Sequence, residues 1–459
     1  MAISFLRSVL LKGSFLILLI FSFLFLTFTG CDKDSDNSIN PEPVNSGLTE
    51  SFGAEMVVDW IHLELKLART SPGWSPPVVS RGFGYTGVAL YESVVGGMPE
   101  YQSLIGQLSG LTSLPKITEG AEYHWPTCAN NALAKIITSL FANTSAENLN
   151  SVDSLKNLFN DQYKAEVSAE IYNRSVEWGE TIAEAIFEWS KSDGGHEAYN
   201  SNFPADYIPP VGDGYWVPTP PAYQPALQPY WGSKRTFIPL IASTTVPPPP
   251  TEYSEDTSSD FYLEAYQVYE TVNNLTSEQE EIALFWSDDP GITYTPPGHS
   301  MAILYKVLES GKYNLAVAAE AYAKVGMAVA DAFVSCWNAK YIYNLVRPVT
   351  VIQEMMDPNW LPILNTPPFP EYTSGHSVQS GAAAQVLSDL FGYSYSFTDD
   401  THLEDIGMAP RNFESFFHFA NEAAISRLYG GIHYLPAIEI GVEQGIEIGK
   451  KVSALRFRK

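Results

Sequence analysis

The sequence predicts an all-α protein, a multi-helix bundle, and three observations carry that expectation. Apolar residues recur at spacings of three and four along most of the 459 residues, the period that gathers side chains on one helix face. Alternating apolar and polar runs, the mark of half-buried strands, are short and few. Hydrophobic residues make up 45% of the chain and charged ones only 17%, enough apolar side chain for a large core.

At the start, Arg7 and Lys12 precede an apolar run from Phe15 to Phe28 that ends in Thr29, Gly30 and Cys31. This reads as a secretory signal over residues 1–30. Small residues before a cysteine resemble the lipobox of bacterial lipoproteins, with Cys31 as the lipidated residue. An uncleaved anchor is the other reading, because the run approaches the ~20 residues that span a bilayer. Both place the globular part outside the cytoplasm, in the periplasm or at the cell surface. The polar, unpatterned stretch 31–50 reads as a flexible tether, followed by a single helical domain over 51–459.

Within that domain, Ile171, Trp178 and Ala185 interleave with Ser175, Ile182 and Trp189 on one face of a helix between Ala165 and Ser190. Similar patterns predict helices near 54–68, 78–95, 129–142, 259–273, 277–287, 299–309, 313–346, 376–391, 411–429 and 437–453. Thr276 with Gln279 forms a capping-box pattern. The segment Pro204–Pro250 departs from the pattern, holding 13 of the 32 prolines together with Trp216, Trp231 and several tyrosines. Such a composition runs as extended loop, and its aromatic content favours a loop packed over the helices rather than a linker. Cys128 and Cys336 either pair or stay buried thiols, and no CxxC spacing suggests a thiolate metal site. With a net charge of −26 the chain repels phosphate backbones, which excludes nucleic acid as a partner.

Against that acidic background, three late segments concentrate cations, imidazoles and small residues. In KYIYNLVRP, Lys340 and Arg347 are seven apart, which predicts two turns of one helix with both cations on one face, ended by Pro348. In PPFPEYTSGHS, residues 367–377, Thr373, Ser374, Gly375 and His376 open a helix whose first N–H groups are free to bind an oxyanion. In SRLYGGIHYLP, residues 426–436, Arg427 closes a helix, glycines turn the chain, and His433 sits on the turn. Each segment alone is compatible with an ordinary cap or a solvated cation. Together they suit a highly charged tetrahedral or trigonal-bipyramidal oxyanion held by guanidinium forks and helix N–H groups, with one imidazole on the axis and the other moving a proton.

These segments resemble the K-x6-R-P, P-S-G-H and S-R-x5-H signatures of the vanadium haloperoxidase and type 2 phosphatidic acid phosphatase superfamily. The aromatic loop and SDDPGITYTPPGHS, residues 287–300, resemble its secreted bacterial branch. The resemblance implies two four-helix-bundle halves and vanadate as cofactor, or none in a phosphatase. Lys340, Arg347, Ser374, Gly375 and Arg427 would bind the equatorial oxygens, His433 would be the axial vanadium ligand or phosphatase nucleophile, and His376 the acid/base group. Trp337 and Phe369 would flank the halide side, the phenylalanine pointing to the chloroperoxidase subgroup, and Asp288 would pair with Arg427. Thr373 replaces the usual proline. Ala437 stands where the motif has the aspartate that orients the nucleophilic histidine, with Glu439 or Glu443 as conceivable substitutes.

The leading expectation is a haloperoxidase that uses hydrogen peroxide to oxidise halide, with an organic acceptor. An exported acid phosphatase acting on a phosphate ester comes second, and a non-catalytic surface lipoprotein that binds glycans through its aromatics third. Oligomeric state is open.

Overall fold

A computed structural model describes residues 47–459. The expected leader and the lipidation of Cys31 lie outside the described residues. The expected tether ends before residue 50, since Thr49 is buried and its hydroxyl donates to the Val94 carbonyl at 2.9 Å.

Helices dominate: α1 (Glu55–Thr70), α2 (Pro76–Val94), α3 (Trp125–Leu140), α4 (Ala146–Tyr163), α5 (Ala169–Ser190), α6 (Ile241–Thr244), α7 (Asp260–Asn273), α8 (Ser277–Phe285), α9 (Thr295–Ser310), α10 (Leu315–Tyr343), α11 (Pro348–Met355), α12 (Gly375–Phe391), α13 (Leu403–Ile406), α14 (Phe416–Tyr429) and α15 (Leu435–Ser453). Two three-residue strands, β1 (Phe397–Asp399) and β2 (Arg411–Phe413), pair antiparallel. Local chemistry starts the helices. Proline stands in the first turn of α2, α3, α9, α11 and α15, where its missing N–H costs nothing. Ser145, Ser168, Ser259, Asn314 and Ser374 cap others by accepting a backbone N–H. The Thr276–Gln279 capping box is present at α8.

The 29-residue α10 is shared by two four-helix sets. On one side it packs against α2, which packs against α3 and α5; on the other it packs against α12, which carries α14 and α15. The α12–α15 contact is a backbone approach. A Cβ on Gly445 would sit 2.1 Å from the Val378 carbonyl oxygen, and one on Gly381 2.6 Å from that of Val442. This closeness fixes the start of α12 against the turn before α15, where the two motif histidines lie.

Several expected boundaries change. The helix expected over 411–429 begins at Phe416, because Arg411–Phe413 is a strand. Lys340 and Arg347 do not share a helix: α10 ends at Tyr343, Asn344 adopts a left-handed φ of 50°, and Arg347 is the residue preceding α11, with Pro348 at its first turn. Pro348 therefore starts a helix instead of ending one.

The Pro204–Pro250 segment packs over the helices. Trp216 and Trp231 are buried, the Trp216 N–H donates to Asn344 O at 2.7 Å and the Leu227 N–H to Pro368 O at 2.8 Å. Farther along, the Asp331 carboxylate on α10 accepts the N–H groups of Phe237 and Ile238. Cys128 and Cys336 are free, buried thiols. Among the described residues no helix is long and apolar enough to cross a membrane.

Candidate active site

A pocket of about 710 Å³ opens where the α12 start, the turn before α15, the Pro-rich loop and residues 287–291 meet. His376, His433, Arg427, Gly375, Asp288, Trp337 and Phe369 line it, and Lys340, Arg347 and Ser374 are completely buried behind the lining. The three separated motifs thus build one site.

His433 is fixed from both nitrogens. Its Nδ1 lies 2.7 Å from Glu371 Oε1, and Arg347 Nη1 stands 3.2 Å from its Nε2 while also donating to Ile432 O at 2.7 Å. Burial, then the charges of Arg347 and Lys340, holds its pKa well below the ordinary value, so the ring is neutral, with the Nε2 lone pair meeting Arg347 Nη1. Glu371 also accepts the Tyr434 N–H at 3.0 Å, and burial raises it to about 7 against the pull of Arg347 and Lys340. This is the orienting carboxylate that Ala437 does not provide. Glu439 and Glu443 are exposed and do not substitute. Glu371 was legible only as part of PPFPEYTSGHS, because its role depends on a loop folding back onto a turn 62 residues later.

Ser374 caps α12: Ser377 donates to its Oγ from N–H and, at 2.8 Å, from its own hydroxyl. Both bonds use Ser374 Oγ as acceptor, which leaves its own proton uncommitted among the described residues, and the helix does not use the N–H groups of Gly375 and His376. Lys340 Nζ donates to the carbonyls of Pro370, Glu371 and Thr373. Its protons therefore hold the 370–373 segment in place, and it serves the pocket through charge; burial lowers its pKa to about 7. Trp337 and Phe369 pack with ring centroids 4.9 Å apart, Lys340 and Arg347 each lying 5.0 Å from the Phe369 centroid.

The expected Asp288–Arg427 ion pair is absent. Arg427 Nη1 donates to the Trp286 carbonyl, and Asp288 faces imidazoles instead. Its Oδ1 lies 2.9 Å from His299 Nδ1 and 3.4 Å from His402 Nε2, and its Oδ2 is 3.7 Å from His376 Nε2. His299 Nε2 continues to Asp399 Oδ2 at 2.8 Å. Burial opposes the charge on Asp288, but His299 and His402 hold it ionised, far below the usual carboxylate range; its pull on Arg427 is electrostatic and longer in range. Burial, Arg427 and His299 lower the pKa of His376 and Asp288 counteracts them. His299, His402 and Asp399 were not singled out from sequence, although His299 closes the TPPGH run.

Comparison with solved structures identifies the architecture. Over 90% of this chain and 97% of the other, the fold superposes on a bacterial vanadium-dependent iodoperoxidase with a TM-score of 0.80 and 38% identity. The chain belongs to the vanadium-dependent haloperoxidase family. Within this family it also resembles a bacterial vanadium-dependent chloroperoxidase in fold, with a TM-score of 0.64 at 16% identity over 84% and 93% of the two chains. Among curated proteins it matches the vanadium chloroperoxidase of Curvularia inaequalis at 22% identity, over 84% of this chain and 79% of that one. Residues 320–458 match the VCPO second helical-bundle domain.

The pocket has buried nitrogens to spare. Arg347 Nη2, Arg427 Nε and His376 Nε2 are buried without hydrogen-bond partners, each at a desolvation cost of about 1–3 kcal/mol or more for charged groups. Three orphaned nitrogens, two of them on guanidinium groups, beside a free helix start fit a multiply charged oxyanion such as vanadate.

Proposed function

We propose that the chain is a vanadate-dependent haloperoxidase, and the orphaned donors around His433 are the observation that carries the reading. Arg347, Arg427, the Ser374 hydroxyl and the first N–H groups of α12 would hold vanadate's oxygens, with Lys340 adding charge and His433 Nε2 as the protein ligand. When bound, vanadate supplies the Lewis-acidic centre at which hydrogen peroxide oxidises halide. Glu371 would keep the His433 proton on Nδ1 and the lone pair on Nε2, where Arg347 Nη1 stands at 3.2 Å. His376, in the first turn of α12 and lining the same pocket, would give or take the proton. Trp337, Phe369 and the cis Pro220–Pro221 loop line the way in. Iodide is the halide to try first, since the 38%-identical relative is an iodoperoxidase and Phe369 alone argues for chloride only by motif.

The deciding experiment loads the purified metal-free protein with orthovanadate and follows halogenation of a dye with peroxide and iodide, bromide or chloride. Vanadate-dependent turnover is expected, and His433→Ala should abolish vanadate binding. Vanadate bound equally well by that variant overturns the assignment. One observation favours a second reading, phosphate-ester hydrolysis: Glu371 gives His433 the orienting carboxylate that a nucleophilic histidine requires. Hydrolysis of a phosphate ester without vanadate, and no halogenation with it, would establish that reading instead. Export on a lipid anchor at Cys31 belongs to the same proposal and is checked by metabolic labelling with a fatty acid.

A further inference from the structure

Deep beside the oxyanion pocket, Asp288, His299 and His402 turn one ligating atom each toward a common point, all within 4.8 Å of one another. We propose that these three side chains bind one divalent transition-metal ion, zinc or a close relative, at a site separate from the vanadate position. The distances of 2.9 Å and 3.4 Å from Asp288 Oδ1 to the two imidazoles approximate the spacing of ligands around a tetrahedral ion bound at ~2.0–2.1 Å. Two nitrogens and one carboxylate oxygen suit zinc, cobalt or nickel, whereas magnesium and calcium prefer all-oxygen shells.

A second, independent observation points to a ligand. His402 is 1% exposed, yet both of its ring nitrogens lack a hydrogen-bond partner, as does Asp288 Oδ2. Around His402 stand aromatic walls, with Phe285 edge-on at 5.0 Å and the His299 ring at 4.7 Å. A proton on His299, shared between Asp288 and Asp399, accounts for His299 but leaves His402 unsatisfied. A metal ion gives each imidazole a partner on the side that faces Asp288. For His299 the outer shell that a metal-bound imidazole requires is already in place: its Nε2 meets Asp399 Oδ2 at 2.8 Å, and Asp399 Oδ1 accepts the Thr401 N–H at 3.0 Å. The backbone is committed as well, because Asp288 adopts a φ of 50°, an uncommon conformation for a non-glycine residue.

The test needs neither peroxide nor halide, so its failure is distinct from failure of the haloperoxidase reading. Full-length protein is stripped with chelator and titrated with Zn²⁺ by calorimetry, and with Co²⁺ by its visible d–d absorption. One equivalent is expected, with a four- or five-coordinate Co²⁺ spectrum and a higher Tm. His402→Ala and Asp288→Asn should lose the site, and Asp399→Asn should weaken it about 10–100-fold. His433→Ala should keep it while losing vanadate. Absence of stoichiometric binding to the folded wild type overturns the proposal, as does undiminished binding by folded His402→Ala. If the ligand variants do not fold, the wild-type Co²⁺ spectrum decides: an octahedral, all-oxygen spectrum counts against the site.

Discussion

Glu371 shows how a residue without a motif position can carry a motif's function. Its carboxylate holds His433 Nδ1 at 2.7 Å, so Glu371→Gln should leave the fold intact and lower vanadate affinity or turnover about 10–100-fold; kinetics unchanged from wild type would assign the orientation of His433 to Arg347 alone. His376 has the opposite profile. With Nε2 unpartnered in the pocket, His376→Ala should spare most vanadate binding and lose kcat, which equilibrium dialysis alongside steady-state kinetics separates. Phe369→His replaces the ring that sits 4.9 Å from Trp337 and should change the iodide-to-bromide rate ratio without unfolding the protein; a constant ratio would remove Phe369 from the halide path. At this scale the two histidines, both arginines and Ser374 were legible because charge and imidazole stand out in an acidic chain. Glu371, His299 and His402 were not, because their partners come from distant segments and nothing local marks a carboxylate that is buried.

Helices were legible where an apolar stripe is broad, as along α5 and α10, and hidden where it is thin. In α4 only a handful of residues are buried, among them Val152, Phe159 and Tyr163, so the polar sequence masks a helix that Ser145 caps. In the 340–348 stretch, the apolar spacing runs on through a break made by the left-handed Asn344, and the pattern cannot show that a new helix starts at Pro348. What seats the site is the contact between α12 and α15, and glycine makes it possible. Gly445→Val places a Cβ that would lie 2.1 Å from the Val378 carbonyl oxygen and pushes α12 away from the turn bearing His433. The expected cost is about 1–3 kcal/mol, read as a lower denaturant midpoint, with peroxidase activity falling further than stability accounts for. Activity that simply tracks the folded fraction would show that the helix separation does not set the site.

Over the whole molecule, the acidic surface surrounds a core that keeps several carboxyl groups where water cannot reach them, and these make stability depend on pH. Glu64 on α1 accepts the hydroxyls of Thr86 and Tyr322, Glu92 on α2 accepts the Leu104 N–H, and Asp331 joins α10 to the Pro-rich loop. Burial raises each of them to about 7. A carboxyl whose pKa is higher folded than unfolded takes up its proton more readily in the native state, so its contribution is complete below the unfolded value and is lost as pH climbs through about 7. These three carboxyls should therefore lose their contribution between about pH 5 and pH 8, while His376 and His433, held below their ordinary pKa, gain one over the lower part of that interval, so the carboxyl effect is read by comparing variants. For Glu64, raised from 4.5 to about 7, the change is on the order of 3 kcal/mol at most. Glu64→Gln keeps the shape and the hydroxyl contacts but removes the titration, so its Tm should decline less over this interval than that of the wild type. Parallel Tm curves for the two proteins would mean that Glu64 does not change its protonation between those limits, and the slope would then belong to other buried groups, Glu92, Asp331 and Glu371 among them.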